Sequence, residues 1–477
     1  MSSISRKLLY ISAGVLFLLV LLALVAWAYL DSEAFKHRIE QSASRTLGME
    51  VKVDGPAGIQ LVPTPGLRLE DVNVRNGGTE WFNASSLDLR VRIIPLLRGE
   101  IVLSGFDLDK PDLELMRDEE GNLNFIPEPR PDDPDDPQPF NIRRFGIRDA
   151  RVSFTDQISG ERIVAENCDW SGEDFEFKPE GSNSSETNMP EFQGNLTCGK
   201  VVYSELEVTE LQVELSVQER RILINQMTGR LLDGHLNAQM ESDLSESTPN
   251  HSLEIDLADF RIERFIETFY DEQGAEGSAT FTAQLNFSGK VPSEMVASMN
   301  GRANLSGTEL ILYGMDLDEE LDQYESTQRF NLVDVAAFFV AGPGGLAITR
   351  GYGFASLFVD AGEQTHIGVL FSEWEISDGI AHARDVALST EENRLALSGA
   401  LDFANSRFRD MKVAVVDVEG CAIVEQDIYG DFDDPEVDSP NFLVVLTGPL
   451  LDAVERGLDL LFDTDCDPFY TGRVEHP

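Results

Sequence analysis

Residues 87–93 of the chain read LDLRVRI. Apolar and charged residues alternate through this stretch, and the apolar positions are Leu87, Leu89, Val91 and Ile93. Side chains of a β-strand point alternately to the two faces of its sheet, so this period of two predicts a strand with one apolar and one charged face. Residues 100–118, EIVLSGFDLDKPDLELMRD, continue the alternation. We therefore expect this region to form a sheet.

Short alternating units recur over the rest of the chain. Examples are SATFTAQLNFSGK at 278–290, RLALSGALDF at 394–403 and NFLVVLTG at 441–448. Glycine within or just after such runs permits the hairpins and bends that connect strands. Helical spacing is confined to a few segments, namely 31–48, Phe260–Phe269, Val333–Val340 and Pro449–Phe462. The sequence thus predicts a mainly β protein with a few helices.

The apolar face of so much sheet has to be covered. The predicted helices are too few to cover it. The strands can close into a barrel or a sandwich, which buries the face against itself. They can also leave the face open as a trough that an apolar ligand fills. The alternation is compatible with each of these arrangements.

An uncharged apolar run extends from Leu8 to Leu30. At about 1.5 Å per residue a helix of this length spans roughly 35 Å, enough to cross a bilayer. Arg6 and Lys7 precede the run and acidic residues follow it, so the positive-inside rule keeps the first residues in the cytoplasm and exports the rest. A cleaved signal peptide is the alternative, although its apolar region is shorter. We expect a single-pass anchor with a large exported domain.

Two segments after the anchor have distinct compositions. Residues 31–48 place apolar side chains at helical spacing and end at Gly48, which predicts an amphipathic helix next to the membrane. Residues 127–139, PEPRPDDPDDPQP, are too rich in proline to pair into a sheet or to continue a helix. A solvated linker is expected there. Calcium binding by its aspartates is the alternative, but the spacing of an EF-hand loop is missing.

The formal net charge is −48, from 85 acidic and 37 basic residues. Such a chain repels phosphate backbones, so we expect no nucleic-acid partner. The acidic residues are spread over every region, which favours an adaptation of the whole surface to its solvent. An acidic surface that binds cations or a basic partner is the alternative.

The four cysteines are Cys168, Cys198, Cys421 and Cys466. An even number in an exported chain suggests two disulfides, which four cysteines can form in three ways. We favour the local pairing, Cys168 with Cys198 and Cys421 with Cys466. Neither pair has the C-x-x-C spacing of a redox or zinc motif.

Motifs of catalysis are missing from the sequence. The six histidines are scattered, and neither H-E-x-x-H, G-x-S-x-G nor a phosphate-binding G-x-x-x-x-G-K-[ST] occurs. The segment from Gly342 to Ala347 fits G-x-G-x-x-[GA], but there an apolar helix-like segment ends at Gly342 and Pro343, whereas a dinucleotide loop opens a helix. We expect no catalytic residues, no metal and no cofactor.

Several segments resemble the AsmA family of Gram-negative envelope proteins. They are VDGPAGIQLVPTPGLRLEDVNV at 53–74, PLLRGE at 95–100 and FNLVDVAAFFVAGPGGLAITRGYGFASL at 330–357, with Gly342, Pro343 and Gly351 as signature positions. A cysteine before an aromatic pair, here Cys466 with Phe469 and Tyr470, resembles a short AsmA-like subgroup. The resemblance covers both ends of the chain, whereas the middle matches in strand rhythm and in its Cys168…Cys198 arrangement.

The resemblance implies a long, curved β-sheet that forms an open apolar groove, and a role in phospholipid movement and outer-membrane biogenesis. Its implied partners are phospholipid or another envelope lipid, the inner membrane, and an outer-membrane or periplasmic protein. Candidate groove-lining residues are Leu87, Leu89, Val91, Ile93, Phe281, Leu285, Phe287, Leu395 and Leu397. The alternative role is that of an assembly factor that contacts outer-membrane proteins through open strand edges, without lipid transfer.

The resemblance and the compositional boundaries together divide the chain into five regions. They are the cytoplasmic tip and anchor (1–30), an N-terminal AsmA-like region (31–126), the linker (127–139), a middle β-rich region (140–300) and a C-terminal AsmA-like region (301–477).

Overall fold

A computed structural model describes residues 33–60, 66–91, 103–126, 140–177, 189–269, 274–313, 316–319, 321, 364–432, 434–438, 441–442 and 466–477. The predicted membrane span, the linker, Ile93, the signature glycines and proline, and the helices predicted at 333–340 and 449–462 lie outside these residues. Among the described residues no helix is both long and apolar enough to span a membrane. The chain divides into two compact units, unit 1 (Met1–Glu219) and unit 2 (Arg220–Pro477). The finer domain boundaries given above stay predictions.

Unit 1 contains one described helix and nine strands. They are α1 (Glu33–Leu47), β1 (Glu50–Val53), β2 (Ala57–Gln60), β3 (Gly66–Asn76), β4 (Thr79–Val91), β5 (Leu103–Arg117), β6 (Phe140–Asp156), β7 (Arg162–Phe177), β8 (Glu191–Tyr203) and β9 (Leu206–Gln218). β1 and β2 both pair with β3, and β3 to β9 pair in chain order. All these pairs are antiparallel except β5 with β6, which is parallel.

Unit 2 continues the pattern with two described helices. Its elements are β10 (Arg221–Leu231), β11 (Gly234–Asp243), β12 (Asn250–Arg261), α2 (Ile262–Phe269), β13 (Ala275–Ser288), α3 (Pro292–Ala297), β14 (Asn300–Tyr313), β15 (Gln364–Ser377), β16 (Ile380–Ser389), β17 (Arg394–Asp402), β18 (Arg407–Val416), β19 (Ala422–Asp431), β20 (Asp434–Val437) and β21 (Asn441–Phe442). β10 to β19 pair antiparallel in chain order, and β20 and β21 both pair with β19.

Both sheets are open. Among the described strands of each unit, no pairing joins the first strand to the last, so neither sheet closes into a barrel. The predicted mainly β fold with few helices and an open, curved sheet is confirmed. The helix predicted at 260–269 is present as α2.

A line of left-handed backbone runs across unit 1. Asp71, Lys110, Asp149, Asn167 and Glu210 lie inside five different strands, and each has a positive φ close to 50°. Each of these five residues directly precedes a residue of one line that crosses the sheet from strand to strand. The residues of that line are Val72, Ala84, Pro111, Ala150, Cys168, Cys198 and Leu211. Interruptions of this kind locally bend and twist a strand. The five interruptions therefore lie at a common level of the sheet.

Helix α1 covers the first edge of the unit 1 sheet. It ends at Gly48, as predicted, with a φ of 75° that suits glycine. Ile39 and Ala43 of α1 pack against a buried cluster from β1 to β3. Two of its side chains also accept hydrogen bonds from β1, Ser44 Oγ from Val51 N at 2.8 Å and Glu40 Oε1 from Val53 N at 2.9 Å. The free edge of β1 is therefore occupied by the chain itself.

The core of unit 2 lies on one face of its sheet. Leu310, Ile367, Leu388, Leu395 and Val413 are fully buried there, and α2 contributes Ile262 and Ile266 to the same cluster. On the opposite face, residues 466–477 form a terminal segment that covers a smaller cluster. That cluster consists of Phe371, Ala387, Ala396, Ala414, Val416, Tyr470 and Val474.

The terminal segment is held by several kinds of contact. The disulfide between Cys421 and Cys466 ties its first residue to the loop before β19. Tyr470 Oη donates to Asp385 Oδ1 at 2.6 Å, and burial together with this bond raises the pKa of Tyr470. The guanidinium of Arg473 lies 4.0 Å from the ring centroid of Phe371. Arg394, which is buried, donates to the carbonyl of Val474 at 3.1 Å.

An ion pair joins the last residues of the parallel strands β5 and β6, Arg117 and Asp156. Asp156 is buried and accepts hydrogen bonds from the Arg117 guanidinium and from the amide of Ile158 at 3.0 Å. The bond from Arg117 is the main cause that lowers the pKa of Asp156 to about 2. Because the two strands are joined by a long connection, this contact fixes their relative register.

The first prediction concerns the pH dependence of this ion pair. The folded pKa of Asp156 is below the value of about 3.9 in unfolded chains, so its stabilising effect is present above pH 4 and is lost as pH falls toward 2. Asp156→Asn should therefore lower the midpoint of urea unfolding at pH 7, and the difference from wild type should shrink at pH 3. Asp109→Asn, which removes an exposed pair with Arg148, is the control and should have a smaller effect. A difference for Asp156→Asn that stays constant with pH would contradict this role.

The second prediction concerns the terminal segment. A Cβ at Gly472 would lie 2.5 Å from Tyr470 Oη and would clash with Asp385 Oδ1. Gly472→Ala should therefore separate Tyr470 from Asp385 and detach the segment. Hydrogen exchange of residues 466–477, measured by mass spectrometry, should become faster. The neighbouring Thr471→Ala, at an exposed position, should leave the exchange as in wild type; slow exchange in both variants would show that the fit at Gly472 is unimportant.

Candidate binding face

The outer face of unit 1 is charged and carries ion pairs between strands. Arg151 on β6 reaches Asp112 on β5 at 3.3 Å and Glu166 on β7 at 3.7 Å. Arg148 reaches Asp109 at 3.4 Å. Such exposed pairs stabilise only slightly, about 0.2–1 kcal/mol each, but they keep this face hydrated. The outer face is therefore unsuited to an apolar ligand.

The inner face of unit 1 carries the apolar residues in lines that cross the strands. Register partners from β3 to β9 form one line, which is Leu69, Leu87, Leu108, Ile147, Trp170, Leu196 and Val213. A second line consists of Val74, Phe82, Leu113, Val152, Ala165, Val201 and Val208. Between them lie small buried side chains, including Ala150 and the disulfide-bonded Cys168 and Cys198. The face is thus continuously apolar over seven strands.

Much of this face is uncovered. Leu108, Ile147, Trp170 and Leu196 are only half-buried. Beyond β4 the buried residues of this face are the cluster of Ala150, Cys168 and Cys198 and the separate side chains of Ile142, Val213 and Val217. Strands β5 to β9 make their main contacts with their neighbours in the sheet. Among the residues that the structure describes in unit 1, none forms a second layer over them. This part of the face is open rather than the core of a sandwich.

Five aromatic rings form a cluster on the open face. They belong to Phe106, Phe145, Trp170, Phe175 and Phe192, from β5 to β8. Phe145 stacks on Phe106 at 5.7 Å and on Trp170 at 6.1 Å between ring centroids. Phe175 stacks on Phe192 at 6.0 Å, and both make edge contacts with Phe145. These five residues are half-buried and are called the ring cluster below.

Two glycines make room for the ring cluster. A Cβ at Gly172 would clash with the Phe145 ring and lie 2.5 Å from Trp170 Nε1. A Cβ at Gly194 would lie 2.8 Å from Cζ2 of Trp170. The two glycines are register partners on β7 and β8. The rings therefore lie against bare backbone, in the space that side chains would otherwise fill.

The predicted groove residues of unit 1 lie at different places on the sheet. Leu87 and Leu89 lie on the apolar face of β4 and are half-buried, opposite Leu108 and Phe106. Val91 ends β4 beyond a register shift and is the partner of Leu103. Ile93 lies outside the described residues.

The predicted groove residues of unit 2 are more covered. Phe281 and Leu285 are half-buried and pack against the main core, whereas Phe287 stacks on His251 at 5.1 Å. Leu395 and Leu397 are buried, with 0% and 4% of their surfaces exposed. The alternation located the apolar face of β17, but these two side chains offer no surface to a ligand.

The ring cluster was missed by the sequence reasoning. Phe106 lies in the N-terminal region and the other four members in the middle region, all at inner-face positions of strands, where a count of aromatic residues at alternating positions was the available signal. The stacking across β5, β6 and β7 depends on the parallel pairing of β5 with β6. A sequence pattern does not reveal that pairing, because the connection between the two strands carries no strand signal.

The described residues bring together one group of possible metal ligands. Asp417, Glu419 and Cys421 lie close to one another. However, Cys421 is bonded to Cys466, and Asp417 Oδ1 accepts hydrogen bonds from the amides of Glu419 and Cys421. The group is therefore explained as a tight turn closed by a disulfide. Both disulfides have the local pairing that was favoured from the sequence.

Comparison with protein families identifies the family to which the chain belongs. The model of the AsmA family matches residues 1–189 and 179–385. The chain belongs to the AsmA family. The match includes the middle region, where the sequence resemblance was confined to strand rhythm and the Cys168…Cys198 arrangement, and it ends before the residues of the terminal segment. No curated protein gives a significant match. Membership of the AsmA family is consistent with a role in the cell envelope.

The third prediction tests the packing of the ring cluster. Gly172→Ala should push Phe145 and Trp170 away from the backbone and change the emission of Trp170 without unfolding the sheet. Steady-state fluorescence, with circular dichroism as a check of strand content, measures both. Gly199→Ala is the matched control on β8, because its Cβ would lie no closer than 3.2 Å to the Asn167 side chain. Identical emission from the two variants would contradict the close contact at Gly172.

Proposed function

We propose that this AsmA protein is anchored in the inner membrane by residues 8–30, exposes the rest of its chain to the periplasm, and binds lipid on the open face of unit 1. The observation that carries the proposal is the apolar face of β5 to β9, which no described element of unit 1 covers. Family membership supports an envelope role. In this role the protein takes part in phospholipid transport and outer-membrane biogenesis.

The energetics of such a face suit transport. Each CH₂ removed from water contributes about 0.8 kcal/mol, so an acyl chain gains several kcal/mol on this surface. The lines of apolar side chains cross the strands, and one position on a line differs little from the next. A bound chain can therefore slide along the face without breaking specific bonds. The headgroup stays toward water at the rim, and the proposal requires no catalytic residue, metal or cofactor.

The alternative is an assembly factor that pairs its strand edges with client proteins. An edge strand binds a client through its free amides and carbonyls. At β1, the amides of Val51 and Val53 are already bonded to Ser44 and Glu40 of α1. This contact disfavours the alternative at that edge, so lipid binding is the function we propose.

The fourth prediction compares the two faces of one strand. Leu196→Asp places a charge on the open apolar face, between Trp170 and Val213, where a desolvated carboxylate is strongly unfavourable. Thr197→Asp places the same charge on the exposed outer face of β8 and is the matched control. Binding of a fluorescent phospholipid to the purified full chain should fall at least about tenfold for Leu196→Asp, equivalent to about 1.4 kcal/mol, and little for Thr197→Asp.

Two results would contradict the proposed function. Equal losses in both variants would show that the assigned face is wrong. A wild-type chain that binds no fluorescent phospholipid, and that carries no lipid in mass spectra of its organic extract, would exclude lipid binding altogether.

A further inference from the structure

The three tryptophans that the structure describes differ in how their indole N–H groups are used. Trp81 Nε1 donates to Met49 Sδ at 3.2 Å, and Trp374 Nε1 donates to Ser372 Oγ at 2.8 Å. Trp170 Nε1 is buried and has no hydrogen-bond partner among the described residues. A buried N–H without an acceptor is costly and uncommon in native proteins. The indole N–H of Trp170 therefore requires an acceptor from outside the described residues.

The described neighbours of Trp170 on its own face are apolar. Its register partners are Ile147 and Leu196, both apolar. Phe145 stacks on its ring, and the position of Gly172 beside Nε1 lacks a side chain. Phe145 is half-buried on the open face, and both its ring and Trp170 Nε1 lie beside the vacant Cβ position of Gly172, so binding to the N–H requires the neighbouring ring to move.

The chemistry of the site restricts the acceptor. A phosphate or carboxylate would bring an anionic group onto an apolar surface of a chain with a net charge of −48, which is unfavourable. A hydrocarbon chain has no acceptor. A neutral carbonyl oxygen attached to a hydrocarbon chain satisfies both requirements, and an ester at the head of an acyl chain has this structure.

We propose that Trp170 donates a hydrogen bond to an ester carbonyl of an acyl lipid on unit 1, while the ring cluster packs against the first methylenes of the chain. This inference rests on the proposed function and adds a specificity to it. Lipids with ester-linked chains are preferred over ether-linked analogues, and Trp170 marks a point where a sliding lipid pauses in a fixed orientation.

A competition between two lipids tests the proposal. The purified full chain is incubated with an equimolar mixture of a diester phosphatidylethanolamine and its diether analogue with the same headgroup and chain lengths. The ratio of the two lipids bound is then measured by mass spectrometry. Wild type should favour the ester by about two- to tenfold, as expected for one hydrogen bond. Trp170→Phe, which keeps a ring but removes the N–H, should bring the ratio close to one.

The controls separate this inference from the proposed function. Trp81→Phe removes an indole N–H that already has a partner and should leave the ratio as in wild type. Because the ratio is measured within each sample, a smaller folded fraction does not alter it. If wild type binds both lipids and Trp170→Phe leaves the ratio unchanged, the inference is wrong while lipid binding stands. If wild type binds neither lipid, the proposed function itself fails.

Discussion

The cross-strand register of unit 1 is the constraint on which the proposed site depends. A slip of one residue between two strands would turn every side chain of one strand to the opposite face. The lines from Leu69 to Val213 and from Val74 to Val208 exist because the register is kept from β3 to β9. Ion pairs on the outer face and the disulfide between β7 and β8 hold the same register. The ion pairs of the charged face thus help to keep the apolar side chains together on the opposite face.

The exposed parts of such sheets need protection from other chains. At β1 this protection comes from α1. Its Ser44 and Glu40 side chains accept hydrogen bonds from two backbone amides of β1, and its apolar side chains pack on the neighbouring strands. In unit 2 the terminal segment covers an apolar strip on the face opposite the core. The uncovered face of β5 to β9 is different, because its lines of apolar residues are left to solvent or to a ligand. An apolar face that the described residues leave partly uncovered is most simply explained by binding.

The alternation of Leu87 and Leu89 with charged residues was sufficient to predict the strand and its apolar side. Gly48 marked the end of α1, and the order of the cysteines suggested the local disulfides. The coverage of each face was not evident from the spacing of the leucines, since Leu87 and Leu395 each begin a Leu-x-Leu unit but differ in burial. The ring cluster was equally out of reach, because it combines residues from four strands and depends on the parallel step at β5–β6. Periodicity describes single strands, whereas accessibility is set by neighbours distant in sequence.

The position of the terminal segment has a consequence for biosynthesis. Tyr470 and Val474 follow the described strands of unit 2 in the sequence, yet they cover Phe371, Ala387 and Ala414 in the middle of the unit 2 sheet. Until residues 466–477 have been made and Cys421 has paired with Cys466, that strip remains accessible to chaperones and proteases. A truncated product that lacks residues 466–477 would keep the strip exposed permanently. Docking of residues 466–477 therefore distinguishes molecules in which this strip is covered from those in which it is exposed.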